Sequence, residues 1–200
     1  MKIVVFKCVR AIAAISLLLT LAACTHVAPA TRVHIANDVD FQLLPVNDNY
    51  TIAQKVAARF RDETHTLIMQ VQADNGRLVM AGLSPTGTHL FTVSFDGNAI
   101  DSWKSPLFAA PFDGSYVLAD YQLASTELAS VRKNIAAGSR VSEQTYADRI
   151  ERTVFDREGT AVIAIIYFDK VHPLRGSVSY CHNERHYCMR IEPLATGATP

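Results

Sequence analysis

The stretch Leu67-Ile-Met-Gln-Val-Gln-Ala-Asp-Asn-Gly-Arg77 decides the fold. Leu67, Met69 and Val71 alternate with Ile68, Gln70 and Gln72, a period of two that puts them on one face of a pleated strand. Asn75-Gly76 then supplies the residue pair that best accepts the positive φ angles of a tight hairpin turn. Arg77 to Leu83 reads as the return strand, and Ser84-Pro85-Thr86-Gly87 as the next turn. Beyond it, His89, Phe91, Val93 and Phe95 point one way, while Leu90, Thr92 and Ser94 point the other. Asp96-Gly97 closes a further hairpin before Ala99 to Trp103. Upstream, Gln54 to Phe60 fits either a strand or a helical stripe of Ile52, Val56 and Phe60. The segment as a whole is an antiparallel meander.

The texture changes at Ser105. The apolar run Ser105 to Phe112 is broken by Pro106 and Pro111, which predicts an irregular loop. Ser115 to Leu123 reads as a short helix or turn. A better helix is expected next, capped by Ser125 or Thr126, with Glu127 in its first turn, Leu128, Val131 and Ile135 along one face, and Gly138 ending it. Strands return over Arg140 to Tyr146, Arg149 to Phe155 and Thr160 to Phe168. The last of these is apolar on both faces, as a strand covered on both sides would be. Ser177 to Ile191 reads as a closing hairpin with the polar tip Asn183-Glu184-Arg185. The expected class is α+β: a curved antiparallel sheet, half-barrel in shape, with a short helical insertion in its concave side.

The N-terminus carries Lys2, Lys7 and Arg10, then an apolar run from Ala11 to Leu19, then Leu21-Ala22-Ala23-Cys24. This order is that of a bacterial export signal, and its apolar run is shorter than the ~20 residues a membrane span needs. The tetrapeptide resembles a lipobox, in which the cysteine is acylated and becomes the first residue. Residues 1–23 are thus expected to be a lipoprotein signal peptide, Cys24 the lipidation site, 24–30 a tether and 31–200 one domain. Two or more acyl chains, at ~0.8 kcal/mol per buried methylene, hold such a protein stably at a membrane.

The 200 residues hold 19 basic and 19 acidic side chains. Loss of Lys2, Lys7 and Arg10 with the signal leaves a mildly acidic chain with no basic cluster, which argues against nucleic acid as a partner. With Cys8 in the signal and Cys24 lipidated, Cys181 and Cys188 remain. Facing each other across the last hairpin in an oxidising periplasm, they are expected to form a disulfide. The rival is a metal set with His182 and His186, although four ligands within eight residues is tighter than the usual paired zinc spacings.

Several of these features together resemble LolB, the outer-membrane lipoprotein that receives lipoproteins from the carrier LolA. They are the lipobox, the meander, the Pro85-Thr86-Gly87 turn, the mid-chain helical insertion and the strand-rich C-terminal half. The phrases Gly82 to Gly87, Phe95-Asp96-Gly97, Tyr116 to Leu123 and Ile165-Ile166-Tyr167 are closer still to an uncharacterised lipoprotein family often encoded beside aryl-polyene biosynthesis genes. The resemblance implies an open half-barrel whose apolar cavity accepts acyl chains, on the periplasmic face of the outer membrane. It aligns the membrane-entering loop of such receivers with 84–87, where this chain has Thr86 at the tip in place of leucine. Thr25, where an aspartate favours inner-membrane retention, fits outer-membrane sorting.

The candidate cavity residues are Met69, Met80, Phe91, Phe95, Trp103, Ile163, Ile165 and Tyr167, which would serve equally as ordinary core. Leu107, Phe108 and Phe112 form either an exposed patch for a membrane or partner, or a lid folded onto the core. No Gly-x-Ser-x-Gly elbow, phosphate loop or His-Glu-x-x-His occurs, and no cofactor motif. The function expected is non-enzymatic binding or receipt of an acyl or polyene cargo, with a LolA-like carrier as a partner. The alternatives are an interaction module with a filled core, and a periplasmic acyl-ester hydrolase using Ser84 or Ser94 with His89.

Overall fold

A hairpin of two long strands, β3 (Tyr50–Phe60) and β4 (Glu63–Asp74), stands in the middle of the computed structural model, which describes residues 31–170 and 174–194. Tyr50–Phe60 is strand throughout. Its buried positions Gln54, Val56 and Ala58 alternate, and each pairs across β4 with a residue of the same face. The meander continues as expected through β5 (Arg77–Leu83), β6 (His89–Phe95) and β7 (Ile100–Lys104). Asn75 and Gly76 turn between β4 and β5 at φ 49° and 82°, the left-handed pair a two-residue hairpin requires.

The second half repeats the motif with β8 (Arg140–Thr145), β9 (Arg149–Phe155), β10 (Ala161–Phe168), β11 (Val178–His182) and β12 (Tyr187–Pro193). All join one open, curved antiparallel sheet of ten strands in the order β7-β6-β5-β4-β3-β12-β11-β10-β9-β8. The halves meet where the first strand of one meander pairs with the last strand of the other, from Phe60 opposite Tyr187 to Gln54 opposite Pro193. The fold is α+β, as the residue pattern predicts.

Three expectations need correction. First, β10 is not covered on both faces. Ile163, Ile165 and Tyr167 are buried, but Ala164, Ile166 and Phe168 are only half-buried on the outer side, where the Arg190 guanidinium lies 4.1 Å from the Phe168 ring centre. Second, the helices exchange rank. The longer one, α1 (Gly114–Ser125), is capped by Asp113, whose Oδ1 accepts from the Ser115 backbone N–H at 2.8 Å. The shorter, α2 (Leu128–Asn134), ends before Ile135, and Ile135 forms a β-bridge with Phe41. Ser125 cannot cap α2 because its hydroxyl donates to the Tyr121 carbonyl in the last turn of α1. Third, residues 32–42, to which the residue pattern assigns no element, contain a hairpin, β1 (Arg32–Ala36) and β2 (Val39–Gln42), that forms a separate small sheet. The Val33, Ile35, Val39 and Phe41 alternation around Asn37-Asp38 is its signature in the sequence.

Helix α1 and the β1–β2 hairpin lie against the inner face of the sheet, and polar side chains set their pose. Gln122 clasps Leu44, accepting from its N–H and donating to its carbonyl at 2.8 Å each. Arg152 donates to the Leu123 carbonyl and the Tyr167 hydroxyl to that of Ala124, so the sheet satisfies the carbonyls at the C-terminal end of α1. Glu143 neutralises the buried Arg152 at 2.7 Å. In the middle of α1, both carboxyl oxygens of Asp120 accept from tyrosines, Tyr180 and Tyr187. His182 is kept neutral chiefly by burial, which lowers its pKa; Nε2–H donates to the Ile35 carbonyl while Nδ1 accepts from the Arg185 N–H.

Cys181 and Cys188 are bridged, with Cα atoms 4.1 Å apart, on the opposite face of the hairpin from His182 and Tyr187. That alternation divides the cysteines from His182 and removes the geometry a four-ligand metal set would need. Residues 1–30, which hold the expected signal, the expected lipidation site Cys24 and the expected tether, lie outside the described residues. Among the described residues no helix is long and apolar enough to cross a membrane.

Two outcomes follow from this arrangement. Burial raises the Asp120 pKa from 3.8 to about 6, against the opposing effect of its two tyrosine donors. The folded state therefore holds the proton more tightly than the unfolded chain. This contribution is complete below about pH 4 and is lost as pH rises through 6, a change on the order of 3 kcal/mol. Denaturant titrations at steps between pH 4 and 7 should show the stability of Asp120→Asn gaining on that of the unmutated protein as pH rises; parallel curves would refute the assignment. Replacing both Cys181 and Cys188 with serine opens a short loop and should cost about 2–3 kcal/mol, read as a lower denaturant midpoint.

Candidate functional site

The sheet's inner face is not filled along its whole length. On the β8–β11 side Ile163, Ile165 and Tyr180 are packed without measurable exposure against the helix and the β1–β2 hairpin. Between α1, the loop 105–113 and strands β3 to β6, β11 and β12, a half-open cavity of about 130 Å³ remains. Its walls are mainly apolar: Val56, Leu67, Met69, Met80, Phe91 and Met189 from the sheet, Val117 and Ala124 from α1, Phe108 and Phe112 from the loop.

Local sequence explains each wall. Gly82 sits opposite Phe91, and a Cβ there would come within 2.3 Å of the Phe91 ring, so only glycine lets that ring lie flat across β5. Gly114 performs the same service for α1, since a Cβ would meet Ser102 at 2.7 Å. The loop is pinned at its root by the Ser105 N–H, which donates to the Leu90 carbonyl at 2.7 Å, and by Lys104 Nζ, which donates to the Ala110 carbonyl at 3.1 Å. Phe91, Phe108 and Phe112 then form a triad with ring centres 4.8 to 6.2 Å apart.

Of the eight cavity candidates, Met69, Met80 and Phe91 line the cavity. Phe95, Ile163, Ile165 and Tyr167 are buried in the filled part of the core, with Tyr167 committed to Ala124. Trp103 is misplaced by the alternation argument: it is 49% exposed, on the outer face. There it stacks on His89 with ring centres 4.8 Å apart. The same face accounts for His89. The register slips between Gly82 and Leu83, so His89 pairs with Leu83 while Phe91 pairs with Gly82. The extra residue, Leu90, turns His89 outward, where its Nε2 lies 2.8 Å from Thr92 Oγ1.

The patch Leu107, Phe108 and Phe112 divides likewise. Leu107 alone is exposed, at 77%, while both phenylalanines fold inward as a lid. Ser94 is buried and accepts from Arg77, and Ser84 is tied into its own turn with Thr86 and Thr88, so the serines and His89 occupy separate networks. Periodicity also passed over Gln54, Val56, Val117 and Met189 as lining residues. Their only signal is the strand alternation of β3 and β12 and the position of Val117 two turns before Ala124.

Residues 51–195 match the family model described as "Protein of unknown function (DUF3261)". No curated protein matches the chain. The matched span takes in all but the first residue of the ten-stranded sheet, both helices and every residue of the cavity wall, and leaves out the β1–β2 hairpin. The chain belongs to the DUF3261 family.

Proposed function

We propose that this protein is a lipid-anchored receiver or carrier on the periplasmic face of the outer membrane, and that its cavity takes up the hydrocarbon part of an acyl or polyene cargo. The carrying observation is a half-open apolar volume between sheet, helix and loop in a domain otherwise well packed. A dry cavity on the order of 150 Å³ is enough to accept a small hydrocarbon, and drug-sized sites are larger. About five methylenes seated there gain about 4 kcal/mol at ~0.8 kcal/mol each, an affinity suited to exchange rather than storage. A longer chain needs the lid of Phe108 and Phe112 to swing outward on the prolines that bound it.

Other features support the LolB-like reading. The sheet is open and curved, and two helices inserted between its halves pack against its inner face. Three of the four methionines, Met69, Met80 and Met189, face the cavity, and thioether side chains adapt to flexible guests. Transfer would run down a gradient of affinity between two apolar sites, with no nucleotide and no bond broken. Cys24 would hold the domain at the bilayer from which, or to which, the chain moves.

Native mass spectrometry of the full chain drawn from its own membranes should show a retained lipid or polyene mass. Met80→Trp, which fills the cavity, should lower its occupancy about tenfold. Phe112→Ala, which opens the lid, should retain or increase it. Lipid-free protein in all three forms, with circular dichroism unchanged, would overturn the reading.

A further inference from the structure

Among the described residues the cavity wall carries five side chains with hydrogen-bonding groups: Gln54, His65, Asp120, Tyr121 and Ser125. Four are engaged within the protein. His65 Nε2 lies 3.4 Å from Glu63. Asp120 accepts from Tyr180 and Tyr187. The hydroxyls of Tyr121 and Tyr50 share a bond of 2.8 Å, and Ser125 donates to the Tyr121 carbonyl at 2.7 Å.

Gln54 is different. It is 4% exposed, yet no described residue forms a hydrogen bond with its side-chain amide. Its cross-strand neighbours are Met69 on β4 and Pro193 on β12, and neither side chain carries a donor. No polar side-chain atom among the described residues is both sealed off and unpartnered, so this amide fronts the open volume of the cavity. A leucine of nearly the same size would fill the position without leaving an amide unsatisfied in apolar surroundings. Such an arrangement suits a site whose missing hydrogen bonds come from the guest.

The surroundings narrow the guest's chemistry. Among the described residues no lysine or arginine lines the cavity, and the Asp120 carboxyl does. A carboxylate entering there would lose its hydration without gaining a countercharge. A neutral carbonyl can accept from the Gln54 NH₂ group, and an amide N–H can in addition donate to the Gln54 oxygen. We infer that Gln54 is a recognition residue for the uncharged carbonyl of an amide- or ester-linked acyl chain, in preference to a free fatty acid. This rests on the cavity being the cargo site.

The methyl groups of Met69, Met80 and Met189 report on the cavity directly. The full chain, methyl-labelled at methionine and held in nanodiscs, is titrated with octane, octanoate, methyl octanoate and N-methyloctanamide. The two neutral carbonyl compounds should bind about tenfold more tightly than octanoate and octane, the gain of one well-placed hydrogen bond. Gln54→Leu should bring the two neutral carbonyl compounds to within about twofold of octane, leave octanoate no tighter than octane, and raise the melting temperature. Gln54→Met serves as a second variant of similar shape. If none of the four shifts the cavity methyls, the cargo reading itself fails. If they bind but the carbonyl preference is absent, or survives in both variants, the assignment of Gln54 is overturned and the cavity stands.

Discussion

A helix pressed into a sheet on most of its sides cannot choose its angle by hydrophobicity alone, because every rotation buries a similar area. In this protein α1 is fixed by polar groups that must be satisfied where no water reaches. Asp120 meets Tyr180 and Tyr187, Gln122 meets the Leu44 peptide, and Arg152 and Tyr167 take the last carbonyls. Breaking any one leaves a buried donor or acceptor without a partner, at about 1–3 kcal/mol each and more for a charge. These clasps define a single pose, and the shape of everything beneath the helix follows from it.

The cavity is one such consequence. Most of the clasps tie the middle and end of α1 to β9, β10, β11 and β12 and to the chain after β2, while its first turn rests on β6 and β7, where Gly114 lies against Val93 and Ser102. Over β3, β4 and β5 the helix has the Tyr50–Tyr121 hydroxyl bond at the start of β3, while Met80, Met69 and Gln54 line the gap without bonding to it, and the Phe91–Phe112 lid closes its flank. Between these two sets of contacts the lining residues leave the gap over β3, β4 and β5 unfilled.

Much of the sheet was legible because its strands obey simple alternation and its turns carry Asn75-Gly76, Asp96-Gly97 and Gly159 where left-handed φ is required. Helix α1 was underrated for the reason that makes it central. Asp120 and Gln122 are polar yet buried, and they interrupt the apolar stripe that marks an ordinary surface helix. The position of His89 was illegible because a single bulge inverts the face of the residues before it, and that of Trp103 because its face is set by its pairing with Thr92 across the β6–β7 hairpin; both depend on pairing between strands. Among the lining residues, Met69, Met80 and Phe91 follow from face alone. Phe95, Ile163 and Ile165 share that face but sit where the helix touches down, which depends on contacts distant in sequence.

The pairing of β3 with β12 has a bearing on the order of events during maturation. These two strands lie at opposite ends of the matched region, so the ladder between them closes only after both meanders exist. Until then β3 presents a long bare edge and β12 a short one, each a template for the wrong neighbour. A nascent molecule therefore spends its most vulnerable interval as two half-sheets. The pocket, which draws walls from both, comes into being at the instant they zip together.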